Sequence, residues 1–235
     1  MKTIGLIGGM SWESSIEYYR LINQEMRRRL GGVHSAKSLM YSVDFGEVEM
    51  LQHSGRWEDA TGMMIDAALR LEAGGAECVV ICTNTMHKMA EEVQAAVRVP
   101  LLHIADAAAA EVRKQGLTCV GLLGTRFTME EDFYAGRLAE RFGLKVLIPD
   151  PAGREVVHRV IYDELVAGII NPASRDAYLQ VIQSLADQGA QGIILGCTEI
   201  GLLVKDGDCS LPLFDTTSIH ALAAVDWALE DRKSE

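Results

Sequence analysis

The sequence predicts an α/β fold built from two similar units, and three observations predict it. Short apolar runs alternate with amphipathic stretches of helical spacing along all 235 residues. GAECVVICTNT (75–85) and GAQGIILGCTE (189–199) align glycine on glycine at an offset of 114. Flanking pieces repeat in the same order. Gly5 of TIGLIGG matches Gly121 of TCVGLLG at 116, and Val99-Pro100-Leu101 matches Leu211-Pro212-Leu213 at 112. A duplicated unit of this kind predicts two pseudo-symmetric α/β domains with an active site in the cleft between them, one half-site supplying Thr83 and the other Cys197. The expected domains are 1–98 plus 211–235, and 99–210.

Thr3 to Ile7 is the first expected strand. It runs into Gly8-Gly9-Met10-Ser11, a turn whose helix start at Ser11 or Ser14 can hold an anion such as a carboxylate. Ser14 to Leu30 has helical spacing, with Arg27, Arg28 and Arg29 against the C-terminal dipole, and Gly31-Gly32 ends it. Leu39 to Phe45 reads as a strand, followed by a polar loop that holds Gln52 and His53. Thr61 to Ala73 is an amphipathic helix stopped by Gly74-Gly75. Cys78 to Cys82 is the third strand, and alternation turns Cys82 and Thr83 to different faces. Thr83 to His87 forms a loop and helix start. Pro100 to Ile104 is another strand, after which Asp106 caps the helix 107–114. The second unit repeats the order: strand 118–123, loop 124–128, helix 129–142, strand 144–148, a Pro/Gly turn at 149–153 and helix 154–167. Asn171-Pro172 opens helix 172–188 as cap and first-turn proline. Ile193 to Leu195 is a buried strand, Glu199 to Val204 opens a helix, Leu211 to Phe214 is the last strand and Ile219 to Glu230 the closing helix. The tail after Glu230 is expected to be disordered.

Composition removes several function classes. A hydrophobic fraction of 49% and a charged fraction of 23% are ordinary for a soluble globular chain. A net charge of −11 argues against nucleic acid or an anionic membrane as partner, both of which need basic surface. No apolar run approaches the roughly 20 residues that span a bilayer. Five cysteines without disulfide or CxxC spacing, and no secretory signal, fit a reducing cytoplasm. Six histidines form no HxH or HExxH pair, so no metal site is expected. GLIGGM is not GxGxxG, and neither GK[ST] nor GxSxG occurs, so no dinucleotide cofactor, nucleotide phosphate chemistry or hydrolase elbow is expected.

The chemistry concentrates in residues 189–201. Gly189 closes a helix, Ile193 to Leu195 form a strand, and Cys197 follows at its carboxyl end, where α/β folds bind ligands. A helix N-terminus there can lower a thiol pKa. The same residues also fit a cysteine that only packs the core. The repeat weighs against that plainer reading by placing Thr83 on Cys197 and Asn84 on Thr198.

VICTNTMH around 80–87 and ILGCTEI around 194–200 resemble the two signature motifs of the aspartate/glutamate racemase family, and IGLIGGMSWESS and LLGTRFTME are similar to further family segments. The resemblance covers nearly the whole chain. It implies cofactor-independent inversion of a small amino-acid substrate at Cα, two groups flanking the α-carbon, and a homodimer. By that resemblance Cys197 serves the L-enantiomer, and Met10, Ser11, Gln52, Asn84, Thr85, Thr198 and Glu199 contact the ligand. The residues also fit plainer roles: Asn84 and Thr85 as caps, Glu199 as a dipole complement, Met10 as packing. The family usually has Cys-Asn-Thr where this chain has Thr83-Asn84-Thr85, and Cys82 lies one residue out of register. In this it resembles a bacterial branch specific for L-aspartate and L-glutamate. A hydroxyl is a far weaker acid than a thiol, so asymmetric catalysis is expected. A decarboxylase or cis–trans isomerase with one catalytic cysteine, or an amino-acid-binding protein without activity, are the alternatives. Arg126 could meet a distal substrate carboxylate or be a solvated loop charge.

Overall fold

Short apolar runs buried on both faces form parallel strands at the centre of each unit, which is why they read as continuous rather than alternating. The structure, a computed structural model, describes residues 1–230. The expected disorder after Glu230 lies outside the described residues. In the first unit, β1 (Ile4–Gly8), β2 (Ser38–Ser42) and β3 (Cys78–Ile81) form a parallel sheet of order β2-β1-β3, and Leu101 adds an isolated parallel bridge to Val79. The helices of this part are α1 (Trp12–Leu30), α2 (Phe45–His53), α3 (Trp57–Ala73) and α4 (Ala90–Ala96). In the second unit, β4 (Cys119–Gly124), β5 (Lys145–Leu147), β6 (Ile193–Gly196) and β7 (Leu213–Asp215) form a parallel sheet of order β5-β4-β6-β7. Its helices are α5 (Ile104–Lys114), α6 (Arg126–Glu130), α7 (Asp132–Phe142), α8 (Pro151–Asp163), α9 (Pro172–Asp187) and the single turn α10 (Ile200–Leu203). Helix α11 (Thr216–Leu229) carries the chain back, and its Ala221, Ala224 and Val225 pack with Tyr18, Ile22 and Met26 of α1 in the first unit's core.

The duplication is written in the hydrogen-bond ladders. Gly5 stands opposite Val79 in one sheet, and Gly121 opposite Ile193 in the other. Val79 N donates to Pro100 O, and Ile193 N to Pro212 O, both at 2.9 Å. Val79 bridges Leu101, and Ile193 pairs with Leu213. These correspondences reproduce the sequence offsets of 116, 114 and 112. Gly75 and Gly189, which close the preceding helices, both have positive φ (95° and 101°) and both donate to a carbonyl three residues back, Glu72 and Ala186. Gly5 and Gly121 are close-approach positions. A Cβ on Gly5 would lie 2.7 Å from the Cys78 carbonyl, and one on Gly121 2.7 Å from Ile193 Cδ1.

Several boundaries differ from expectation. The first unit is Met1–His103 with the segment beginning at His220, and the second is Ile104–Ile219, against the expected 1–98 plus 211–235 and 99–210. The reason lies in strand pairing. Pro100 and Leu101 bond to β3, whereas Leu213 to Asp215 pair with β6. The polar loop expected after β2 is helix α2, because the Asp44 side chain accepts from Gly46 N and so caps its start, while Val48, Leu51 and Gln52 are buried. Ile104 begins α5 instead of ending a strand. The expected helix 129–142 is two helices broken at the extended Glu131, and the Thr125 side chain caps the first by accepting from Thr128 N. Helix 154–167 begins earlier, at Pro151 behind the Asp150 cap, and finishes in a 3₁₀ turn, Leu165–Ala167. Among the described residues no helix is long and apolar enough to cross a membrane, and no group of three or more His, Cys, Asp or Glu side chains could hold a metal ion.

Candidate active site

In each unit the candidate acid–base residue leaves the carboxyl end of the strand beside the central one, where backbone groups are free to meet a ligand. Strand alternation decides which side chain leaves on which face. In β3, Val79 and Ile81 belong to the apolar cluster under α2 and α3, while Cys78, Val80 and Cys82 belong to the cluster under α1 and α11. In β6, Ile193 and Leu195 share one cluster, and Cys197 packs against that same cluster. Continuing each alternation by two residues puts Thr83 and Cys197 at equivalent positions.

In the first unit, Cys82 N donates to Ile7 O at 2.9 Å, which seats the Thr83 loop beside the β1 turn. The Cys82 thiol is fully buried, its pKa pushed far up by that burial. Thr83 is half-buried. Its carbonyl accepts a 2.8 Å hydrogen bond from His87 Nδ1, across the 3₁₀ helix Thr85–Met89. The His87 ring lies 4.6 Å from that of His103 and 5.7 Å from that of His220. His220 Nδ1 meets the Tyr18 hydroxyl at 2.8 Å, and its Nε2 donates to Leu102 O at 2.7 Å. Three buried imidazoles therefore back the Thr83 loop, and two of them are the residues at which the chain leaves and re-enters this unit.

The other expected contacts of this unit divide. Gln52, buried on α2, donates from Nε2 to Met86 Sδ at 3.1 Å, which ties α2 to the Thr83 loop. Asn84 and Thr85 are buried beside it, and the Asn84 side chain makes no capping bond to the 3₁₀ helix, so the plain capping role does not describe it. The Met10 side chain belongs to the same apolar cluster as Leu51 and Met86, which commits it to packing. Ser11 caps α1: its Oγ accepts from Ser14 N at 3.4 Å, and its carbonyl accepts from the Ser14 and Ser15 hydroxyls at 3.0 and 2.9 Å.

In the second unit Cys197, Thr198 and Glu199 form one hydrogen-bonded group. The half-buried Cys197 thiol donates to Glu199 Oε2 at 3.0 Å, and the Thr198 hydroxyl donates to the same oxygen at 2.6 Å. Glu199 is buried and makes no side-chain cap to α10. Burial first, then the Glu199 charge and hydrogen bond, hold the thiol well above the usual range, against the Thr198 and Glu199 backbone N–H groups that lower it. The expectation that a helix N-terminus lowers this pKa is therefore corrected. Helix α10 is a single four-residue turn, too short for a sizeable dipole, and a carboxylate faces the sulfur. The arrangement is a protonated thiol with a base already bonded to it.

Tyr178 donates to Val157 O at 2.8 Å, and its phenol is held up by burial, then by Cys197 and Glu164. Glu164 accepts from Ser174 Oγ at 2.8 Å through Oε1, whereas its buried Oε2 has no partner among the described residues. Arg126 is exposed and pairs with Glu155 at 2.5 Å, the solvated-charge role rather than a ligand contact. Sequence reasoning passed over His87, Thr217 and the Thr125–Thr128 pair. Thr217 follows β7 at the same sheet edge, with a buried hydroxyl that has no partner among the described residues. The run Asp215-Thr216-Thr217-Ser218 after an apolar strand was the available signal.

Comparison with known proteins shows what the chain is similar to. A family model described as Asp/Glu/Hydantoin racemase matches residues 7–224. The broad specificity amino-acid racemase RacX of Bacillus subtilis (strain 168) is 28% identical over 169 residues, 69% of each chain. A Yersinia pestis protein whose crystal structure carries the provisional name Asp/Glu racemase is 58% identical, with a TM-score of 0.92 over 97% of this chain and 100% of that one. An aspartate racemase homologue from Pyrococcus horikoshii OT3 is 36% identical, with a TM-score of 0.83 over 97% and 99%. Glutamate racemase from Francisella tularensis, at 14% identity and a TM-score of 0.65 over 98% and 82%, shares the fold.

Proposed function

The chain belongs to the Asp/Glu/hydantoin racemase family, and from that premise we propose that it inverts Cα of aspartate and glutamate by two-base proton transfer. It is an amino-acid racemase, an isomerase. The observation that supports the mechanism is the Cys197 thiol bonded to Glu199 at the strand end equivalent to that of Thr83. Glu199 takes the thiol proton, and the resulting thiolate removes the α-proton of the L-substrate. Negative charge spreads onto the substrate carboxylate, which backbone N–H groups of the two motifs stabilise as it develops. A proton then reaches the opposite face from the Thr83 side, from the hydroxyl itself or from a water it orients, and solvent restores it. Gln52, Asn84, Thr85, Thr198 and the Met10–Ser11 backbone hold the ligand. The enzyme works in the cytoplasm as a homodimer and needs no pyridoxal phosphate or metal.

One observation favours a wider side-chain range. The charge that faces the Cys197 sulfur is the Glu199 carboxylate, while Arg126 is engaged by Glu155. A substrate with a second carboxylate meets repulsion there, and an uncharged or cationic side chain does not.

The test is incubation of the dialysed, chelator-treated enzyme with L- and D-amino acids in heavy water, read by mass spectrometry and chiral chromatography. Deuterium at Cα with appearance of the mirror-image product is expected, with neutral substrates outpacing aspartate if the Glu199 charge sets the range. Carbon dioxide release would indicate a decarboxylase, and saturable binding without exchange a binding protein. Activity lost on dialysis and restored by pyridoxal phosphate or a metal would overturn the mechanism.

A further inference from the structure

At the offset of 114 that places Thr83 on Cys197, His87 falls on Gly201. The Cys197 carbonyl accepts from the Ile200 backbone N–H at 3.2 Å, with no side chain at 201 to help. The Thr83 carbonyl accepts from a side chain, His87 Nδ1, at 2.8 Å. A carbonyl only accepts, so Nδ1 carries the hydrogen of that bond. The second unit closes the equivalent loop on a glycine, so the turn by itself does not call for an imidazole.

His87 is itself held. Its ring, 2% exposed, lies 4.6 Å from the His103 ring and 5.7 Å from the His220 ring, edge-on to the latter. His220 is engaged at both nitrogens: Nε2 donates to the Leu102 carbonyl at 2.7 Å, and Nδ1 meets the Tyr18 hydroxyl at 2.8 Å. His220 thus pins the backbone next to His103, and His103 flanks His87. Helix α1, helix α11 and the segment after Pro100 converge in this way on one side-chain bond to Thr83, inside the first unit. An imidazole packed this closely has little room to shift, and it passes that fixed position to the carbonyl.

Taking Thr83 as the acid–base group of the D face, we propose that His87 is the positioning residue for that step. Its Nδ1–H fixes the Thr83 peptide and so aims the Thr83 hydroxyl at the α-carbon. A hydroxyl carries no charge to draw the reacting proton, so it acts only within hydrogen-bond reach of that proton or of a water it orients. A misplacement of about 1 Å costs about 100-fold in rate. Cys197 has Glu199 bonded to its sulfur, and Gly201 offers it no side chain. His87 is therefore the first unit's own device for making a weak acid–base group work.

Side-chain reach supplies the test. Asparagine puts an amide N–H two bonds from Cβ, where histidine has Nδ1, whereas glutamine puts it three bonds away, where histidine has Nε2. Both are uncharged amides, so they differ in reach and not in polarity. Single-turnover uptake of solvent deuterium at Cα is measured for each enantiomer in His87→Gln, His87→Asn and Thr83→Val. His87→Gln is expected to lower D-substrate exchange at least tenfold and to leave L-substrate exchange within about twofold of wild type. His87→Asn is expected to keep D-substrate exchange within about threefold of wild type, and Thr83→Val to lose it. Equal loss on both faces in His87→Gln, the mark of a role in folding alone, would overturn the proposal. So would unchanged D-substrate exchange in His87→Gln, or a His87→Asn variant as impaired as His87→Gln. If Thr83→Val keeps D-substrate exchange, the assignment of Thr83 falls and the proposal with it. If Thr83→Val loses that exchange while His87→Gln keeps it, only the role of His87 falls.

Discussion

The Thr83 loop and the Cys197 loop occupy the same place in two copies of one architecture, yet they are supported in opposite ways. Their strands share ladder register, helix-closing glycine and the face on which the candidate side chain departs. Cys197 has its proton acceptor at the side chain, where Glu199 bonds the sulfur. Thr83 is held by its backbone, through His87 and the imidazoles behind it, and the group proposed to act there is a weakly acidic hydroxyl. A duplicated fold keeps position and exchanges chemistry.

Removing the thiol should break the comparison most completely. Cys197→Ala is expected to lower Cα–H exchange of the L-substrate by about 10³-fold or more, within the range for losing a general base, with the fold intact. Wild-type exchange in that variant would end the assignment. Glu199→Gln removes both the charge and the hydrogen bond that hold the thiol pKa up. Because the thiolate is the base, the L-side exchange rate rises with pH through the raised thiol pKa. The variant's rising limb should move to lower pH, and its plateau should fall about tenfold because a less basic thiolate abstracts more slowly. An unmoved limb would show that Glu199 does not govern the sulfur.

The glycine pair sharpens the structural side. An added Cβ at Gly5 meets the Cys78 carbonyl and Ala76 Cβ, and one at Gly121 meets the tips of Ile193 and Leu185. Backbone cannot give way as a side-chain tip can, so Gly5→Ala should destabilise by about 2–3 kcal/mol and Gly121→Ala by about 1 kcal/mol in chemical unfolding. The reverse order would mean the two cores are not packed as described. The smallest effect on chemistry is expected from Cys82→Ser. Its hydroxyl enters an apolar core at a cost of about 1–3 kcal/mol in stability, while exchange per folded molecule stays as in the wild type.

Much of this was legible in the sequence because the repeat encodes register. The three offsets are the ladder offsets, so Gly5, Val79, Gly121 and Ile193 could be matched before any sheet was seen. Helix α2 was missed because Asp44 and Phe45 read as the end of a strand, whereas the Asp44 side chain accepts from Gly46 N and starts a helix. The state of Cys197 was misjudged because a helix-terminus argument sees the backbone N–H groups but not a carboxylate folded back two residues later. The histidines behind Thr83 lie 16 and 133 residues beyond His87 in sequence, and no local pattern joins them.

The most direct test of the account is single-turnover uptake of solvent deuterium by each enantiomer in Thr83→Cys. L and D are mirror images, so the equilibrium constant stays at one and steady-state gains must be equal in both directions. Only the proton-exchange step can show which face changed. A thiolate at 83 is a far more accessible base than an alkoxide, so D-substrate exchange should rise at least tenfold while L-substrate exchange, served by Cys197, stays nearly constant. No change on the D face in Thr83→Cys, together with loss of exchange in Cys82→Ser, would contradict the account and move the partner of Cys197 to residue 82.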